Sequence, residues 1–357
     1  MTTSHPTAPP PPPNLLDRTP SAARDLLAVW VAGRGLPGYR VGQMLRRLWQ
    51  APVGSWAEAT ELPLALRAEL DTAFPLPRLT SDVEQVSADG TRKYLWRLPD
   101  GEAIESVLIP SGSRRTLCIS SQAGCALKCS FCATGLMGLK RNLRAEEIVA
   151  QVVAMGEFHG WRDDRFNIVF MGMGEPLANL APVTESIRVL HDDHGLNLGA
   201  RRVTVSTSGL VPQIRELAKL DLQVGLAVSL HATTDELRDE LVPVNKRWPI
   251  RELLDAAKEY GHTVGRRVTL EYVLLGGVND TPEDADRLAE FARQLPSKVN
   301  LIPYNPVPGL SWQRPSPAAV QAFAERLYPH APAVTVRQTQ GGEIWAACGQ
   351  LGGLTPE

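Results

Sequence analysis

Cys125, Cys129 and Cys132 fall within eight consecutive residues, in the spacing C-x3-C-x2-C. Thiolates this crowded repel one another unless a metal takes up their charge. Two metal chemistries suit them. Structural zinc takes four ligands, and Cys118, seven residues upstream, offers a fourth thiolate. Zinc sites usually pair their cysteines as two C-x2-C knuckles, and that pattern is absent here. A four-iron cluster held by only three cysteines leaves one iron open to a cofactor or substrate. Two cysteines remain. Cys118 lies in the apolar run Thr116–Ile119, where a small buried thiol is the default. Cys348 is followed by Gly349 in a glycine-flanked segment near the C-terminus, which points to an accessible, mobile thiol.

Other groups gather where strands are expected to end. Met-Gly-Met-Gly-Glu-Pro at 171–176 allows close backbone approach, and Glu175 could accept from an ammonium; a tight turn would explain the glycines equally well. Ser206-Thr207-Ser208-Gly209 and Ser229-Leu230-His231 bring hydroxyls and an imidazole to similar positions, although a lone histidine at a strand end is often structural. Charge is uneven. The chain carries 37 basic and 39 acidic side chains, net −2, yet residues 106–145 contain no Asp or Glu and six Lys or Arg. Part of that excess would offset a cluster's negative charge, and the rest suits a polyanion approaching its mouth.

The elements that must position these groups follow from periodicity. Residues 1–13 hold six prolines and no large hydrophobe beyond Met1, the composition of a disordered tail. Leu15 to Phe74 has helical spacing, with Arg46 and Arg47 beside Trp49 on what reads as an amphipathic helix. Residues 91–98 and 103–109 predict a hairpin through the turn Pro99-Asp100-Gly101. Strands are then expected at 116–121, 166–170, 202–207, 223–230, 267–274, 299–302 and 334–337. Helices are expected at 145–158, 181–193, 211–220, 249–260, 282–294 and 317–328. Such alternation predicts an α/β fold, a parallel sheet covered by helices, with ligands at the carboxyl ends of its strands. The expected division is a tail at 1–13, an accessory RNA-binding region at 14–103, a barrel at 104–340 and a C-terminal loop at 341–357. With 357 residues, 43% hydrophobic and 21% charged, the chain has an ordinary globular composition. Neither a secretory signal nor an apolar run long enough to span a membrane is evident, so a cytoplasmic location is expected.

C-x3-C-x2-C with an aromatic, Phe131, before the last cysteine resembles the signature of radical S-adenosylmethionine (SAM) enzymes. More specifically, the chain resembles the RlmN/Cfr family of radical SAM RNA methyltransferases. The resemblance rests on IESVLIP (104–110), CISSQAGCALKCSFCATG (118–135), FMGMGEPLAN (170–179), VTVSTSG (203–209), SLHA (229–232), LVPVNKR (241–247), YVLLGGVND (272–280), NLIPYNP (300–306) and AACGQL (346–351). It implies a partial (β/α)6 TIM-like barrel with an N-terminal helical and β-hairpin accessory domain. It implies one [4Fe–4S] cluster on Cys125, Cys129 and Cys132, and a SAM site lined by Gly174, Glu175, Ser206, Ser229, Leu230, His231 and Asn305. It implies that Cys348 is methylated by one SAM, that a second SAM yields a 5′-deoxyadenosyl radical, and that the resulting methylene adds to an adenine. Cys118 would resolve the protein–RNA adduct, leaving a Cys118–Cys348 disulfide, and Glu105 would be the acid/base carboxylate. The implied partners are 23S rRNA and tRNA, with a flavodoxin-type electron donor and a monomeric enzyme.

Within that family carbon 2 of adenosine is the expected target and carbon 8 the alternative. Pro176 after the Gly-Glu pair and the Ser-Thr-Ser-Gly at 206–209 favour carbon 2. Two readings of other classes stay open: a metal-cluster RNA-binding protein without turnover, and a radical SAM enzyme acting on protein, which would not need Cys348.

Overall fold

The computed structural model describes residues 14–76, 79–160 and 165–352. The proline-rich segment 1–13 and the last five residues of the expected C-terminal loop lie outside them. The chain begins with helices α1 (Pro20–Ala32), α2 (Tyr39–Leu45) and α3 (Leu64–Ala73), which bury Leu27, Met44, Leu48, Trp49 and Trp56 in a core of their own. That core also takes in Val149, Ala150 and Val189 from the barrel's outer helices, which fixes the helical unit to the barrel.

Three antiparallel strands follow: β1 (Thr80–Val86), β2 (Arg92–Arg97) and β3 (Ala103–Ser111). The expected hairpin is therefore two strands of a three-stranded meander. β1 escapes a periodicity reading because it is an edge strand with no fully buried face, so its sequence TSDVEQV carries little apolar signal. β3 then pairs antiparallel with β4 (Arg114–Cys118), the first barrel strand. One sheet thus runs through both regions, across residue 104.

After β4 comes a loop bearing the short strand β5 (Gln122–Gly124), the helix α4 (Ala133–Met137) and β6 (Leu139–Asn142), with β5 and β6 paired. The alternation that follows is α5 (Ala145–His159), β7 (Arg165–Phe170), α6 (Leu180–His191), β8 (Val203–Thr207), α7 (Val211–Ala218) and β9 (Gly225–Ser229). It continues through α8 (Asp235–Leu241), α9 (Ile250–Val264), β10 (Val268–Leu274), α10 (Pro282–Arg293), β11 (Ser297–Pro303), α11 (Pro317–Leu327) and β12 (Val334–Val336). Strands β4, β7, β8, β9, β10 and β11 are parallel neighbours in that order, each followed by a covering helix, and β12 adds a short seventh. The sheet does not close on itself, so the expected partial (β/α)6 barrel is what forms. α10 starts as its sequence implies: Thr281 caps it, Pro282 fills the first turn and Asp284 completes a capping box. The polar helix α8 and the β5–β6 pair carry no strong periodic signal and went unpredicted.

At the start of α5, Glu146 is buried against the helical unit. Burial, aided by a hydrogen bond with Asp17, pushes its carboxyl up to about 8. A carboxyl raised on folding from the ordinary 4.5 favours the folded state at low pH, and that contribution is lost as pH rises from about 4.5 to about 8. Glu146→Gln should therefore flatten the fall in melting temperature across this window while leaving stability near pH 5 unchanged, as read by thermal unfolding at stepped pH.

Candidate active site

The carboxyl ends of β7 to β11 surround one cavity. Gly172, Gly174 and Glu175 follow β7; Ser206 and Ser208 come from β8; Ser229 and His231 come from β9; Glu271 and Val273 lie on β10; Ile302, Tyr304 and Asn305 come from β11. Cys129, Phe131 and Cys132 enter from the loop after β5, and Cys348 and Gly349 from the C-terminal segment.

Backbone proximity explains the glycines. A Cβ on Gly172 would lie 2.6 Å from the Ile119 carbonyl carbon, and one on Gly174 would lie 2.8 Å from the Gln122 amide nitrogen. Gly174 also holds φ at 104°, a region L side chains avoid. These contacts press the 171–176 turn onto the start of the cysteine loop. Gln122 completes the joint by accepting from the Glu175 amide at 2.8 Å. The Glu175 carboxylate is buried and accepts from the amides of Ser208 (2.7 Å) and Leu177 (3.1 Å), while burial pushes it up to about 7. A cationic amine in the cavity would restore its charge.

His231 occupies a left-handed backbone position, and its Nδ1 accepts from the Val273 amide at 3.1 Å. Burial, with Arg238 nearby, pushes the ring down to about 3, so it is neutral and carries its proton on Nε2. Phe131 packs edge-on against it. Asn305 accepts from Arg314 (3.0 Å) and Thr339 (2.9 Å) and donates to the Cys348 carbonyl at 3.2 Å. Ser206 donates to the Phe170 carbonyl at 2.6 Å. Leu230 differs from these residues. Its side chain is fully buried in the barrel core, and it is not among the residues that line the cavity.

The three loop cysteines lie within one another's fields. Burial pushes Cys125 up to about 11, with Glu175 and then Cys132 adding to the rise, and Cys129 and Cys132 are raised first by burial and then by neighbouring thiols. Such thiols bind metal only on losing their protons, so loading is favoured at higher pH. No three metal-ligating side chains among the described residues converge on a single ion. An iron–sulfur cubane gives each cysteine its own iron, so a donor set of three thiols on one loop fits it.

Cys118 and Cys348, 230 positions apart, are neighbours. Burial pushes the Cys118 thiol up to about 12, with Cys348 adding to the rise and Arg337 opposing it. Cys348 is half-buried on the cavity wall, as an accessible thiol should be. All five cysteines are free thiols, so the implied Cys118–Cys348 disulfide is not formed in this structure. Glu105 is not a wall of the cavity: it lies under the C-terminal segment, accepting from the Gly352 amide at 2.7 Å.

Sequence reasoning missed two supports. Arg238 on α8 is fully buried and donates to the carbonyls of Ser208 (2.7 Å), Ser229 (3.0 Å) and Leu230 (2.9 Å), and to Asn245 (2.9 Å). It pins the ends of two strands and faces Cys129 with a positive charge. Only its place in a short charged helix, DELRDEL, hinted at it. Arg337 stands beside Cys348, Glu271 and Cys118. The basic segment is also less free than its count implied. Arg141 is paired with Glu147 and Asp100, and Arg144 with Glu146. Arg114, Lys128 and Lys140 make no ion pair among the described residues. Trp49 is core, and Arg47 is bound by Glu61 at 2.7 and 2.9 Å, which favours the amphipathic-helix reading there.

Two substitutions test this construction. Gly174→Ala drives a Cβ into Gln122 at a φ of 104° and should lower the melting temperature clearly, read by thermal unfolding. Arg238→Met strands three buried carbonyls and should cost about 3 kcal/mol or more in denaturant unfolding.

The radical SAM superfamily model matches residues 119–292. The dual-specificity RNA methyltransferase RlmN of Anaeromyxobacter dehalogenans is 48% identical over 347 residues, covering 94% of this chain and 93% of the relative. That of Geobacter sulfurreducens is 47% identical over 329 residues, covering 92% and 90%. A crystal structure of a radical SAM methyltransferase from Sphaerobacter thermophilus superposes with a TM-score of 0.88 at 47% identity, covering 95% of this chain and 99% of that one. With similarity of this depth across nearly its whole length, the chain belongs to the RlmN family of radical SAM RNA methyltransferases.

Proposed function

We propose that the enzyme methylates carbon 2 of a specific adenosine in 23S rRNA, at the peptidyl-transferase centre, and of the adenosine 3′ to the anticodon in a subset of tRNAs, with Cys348 as the methyl carrier. The observation that carries this reading is the position of Cys348, on one cavity wall with Cys129, Cys132, Glu175 and His231 and beside Cys118.

The chemistry explains why such a thiol is needed. Carbon 2 of adenine is electron-poor and its hydrogen is not acidic, so the base offers no nucleophile to a SAM methyl. A carbon centre tethered through sulfur beside the base can add there, with the advantage of proximity. Held by Cys125, Cys129 and Cys132, a single [4Fe–4S] cluster would supply the electron that cleaves SAM to a 5′-deoxyadenosyl radical. Two SAM molecules are consumed per methylation, the other one alkylating the Cys348 sulfur as its proton leaves. Glu175 receives the SAM ammonium, Gly174 lets the backbone approach it, and Ser206, Ser229, His231 and Asn305 frame the rest. The methyl carbon on Cys348 would give a hydrogen atom to the 5′-deoxyadenosyl radical and bond to carbon 2, with the odd electron of the adduct passing back to the oxidised cluster. Glu105 serves as the acid/base carboxylate and takes the carbon-2 proton. The Cys118 thiolate then attacks the Cys348 sulfur: a Cys118–Cys348 disulfide forms as the sulfur–carbon bond breaks, the released carbon takes a proton to become the methyl group, and the electron donor reduces the disulfide. The target base must leave its stack to reach this depth. Arg114, Lys128 and Lys140 are the cations of the basic segment left for the RNA backbone. The enzyme works as a cytoplasmic monomer and draws electrons from a flavodoxin-type donor. Among the described residues no helix is long and apolar enough to cross a membrane.

Digestion of RNA methylated by the anaerobically reconstituted enzyme should yield 2-methyladenosine by mass spectrometry. Release of 8-methyladenosine instead would move the chain to the carbon-8 reaction. Cys348→Ala should reduce RNA methylation at least about a thousandfold while sparing 5′-deoxyadenosine formation. Full RNA methylation by that variant would end the carrier reading.

A further inference from the structure

Lys93 is a lysine in the wrong place for a surface charge. It lies on β2 with its side chain 3% exposed. Across the sheet Lys93 is opposite Val107, and Val107 is opposite Cys118. Glu105 is two residues from Val107 on β3. Residues opposite one another, and residues two apart on a strand, share a face. Lys93, Glu105 and Cys118 therefore occupy one patch of the sheet, beneath the C-terminal segment.

Within that patch the Lys93 ammonium lies 3.2 Å from the Glu105 carboxylate, and the Glu105 side chain is 2% exposed. A buried ion pair persists only where good geometry and further hydrogen bonds offset its desolvation. Here such bonds reach into the segment that carries Cys348. The Gly352 amide donates to the second Glu105 oxygen at 2.7 Å, and Lys93 reaches the Trp345 carbonyl at 3.5 Å. Trp345 and Gly352 stand three residues before and four residues after Cys348. The pair thus grips the backbone on both sides of the thiol, and Trp345 is held there in a left-handed conformation, φ 56°.

We propose that Lys93 is a positioning residue whose ion pair with Glu105 clamps the 345–352 segment and so seats Cys348 in the cavity. The clamp opens when Gly352 leaves Glu105, which frees the carrier segment and exposes the carboxylate in one event. Glu105 bound to Gly352 has one oxygen turned to the segment rather than to a base, so closed loading and open transfer exclude each other. Lys93 keeps the carboxylate in place through both states. This inference rests on Cys348 as the carrier and Glu105 as the acid/base.

Hydrogen–deuterium exchange on the cluster-loaded enzyme tests it. Lys93→Met should speed exchange of the 345–352 amides about tenfold or more, with β2 and β3 amides changed less than about twofold. Lys93→Arg should restore most of the protection. If Lys93→Met fails to fold, Lys93→Met with Glu105→Gln removes the stranded carboxylate and should show the same faster exchange of 345–352. Unchanged exchange of 345–352 in the variant that folds would overturn the proposal. So would equal acceleration of β2, β3 and the segment, which is the signature of a merely structural lysine. RNA methylation at the native rate by Glu105→Gln would remove the acid/base reading but leave the exchange result standing, so the two failures are separable.

Discussion

The hydrogen bond from the Ala133 amide to the Gly349 carbonyl, 2.8 Å, joins the two stretches of chain whose thiols have to meet. One stretch is the cysteine loop after the first barrel strand; the other is the C-terminal segment. Their sequence separation is more than 200 residues, so meeting by chance would carry a large entropic cost. The barrel removes that cost in advance. Its parallel strands end on one rim, each connecting loop arrives at the same place, and β12 delivers the segment after it to the mouth of β4. Asn305 just past the end of β11 then fixes the Cys348 carbonyl, and the Gln350 side-chain Nε2 donates to the Pro306 carbonyl at 2.9 Å.

The rim is made rigid by buried polar groups rather than by apolar packing alone. Arg238 ties the ends of β8 and β9 together, and Gln122 and Glu175 join the cysteine loop to the turn after β7. Gln151 bonds the Ser120 amide (2.9 Å) and the Ser106 hydroxyl (2.7 Å), linking β3, the end of β4 and α5. Each of these groups is satisfied within the fold, the condition under which a buried polar network specifies one arrangement. The C-terminal segment is held to that rim by separate hydrogen bonds rather than by a strand ladder. That division suits a reaction in which one thiol must meet first a small cofactor and then a large RNA.

Much of this was legible in the sequence, for identifiable reasons. Strand–helix alternation from residue 116 onward has a strong period and points to a parallel sheet covered by helices, while the partial barrel came from the family resemblance. Short-range chemistry gave the cysteine loop, the 171–176 turn and the serines at strand ends, because the residues that act together there are close in sequence. What stayed hidden depends on long-range contact or on charges that look ordinary. Arg238 reads as one more charge in a polar helix, and only the fold brings three carbonyls to it. Lys93 falls on the face of β2 with Thr91 and Arg97, opposite Tyr94, Trp96 and Leu98, so it reads as an ordinary surface charge until the fold sets Glu105 beside it. Leu230 was expected to line the cofactor site, yet at a strand end with period two its side chain turns into the core. Trp49 and Arg47 likewise take their meaning from the fold: Trp49 is buried in the helical core and Arg47 is paired with Glu61.

The account stands on one covalent fact about Cys348. Peptide mass spectrometry of enzyme purified without air from growing cells reads it directly. The account predicts a methyl group on the sulfur of Cys348 and on none of the other four cysteines. An enzyme that methylates RNA through repeated turnovers while its Cys348 remains an unmodified thiol throughout would contradict it.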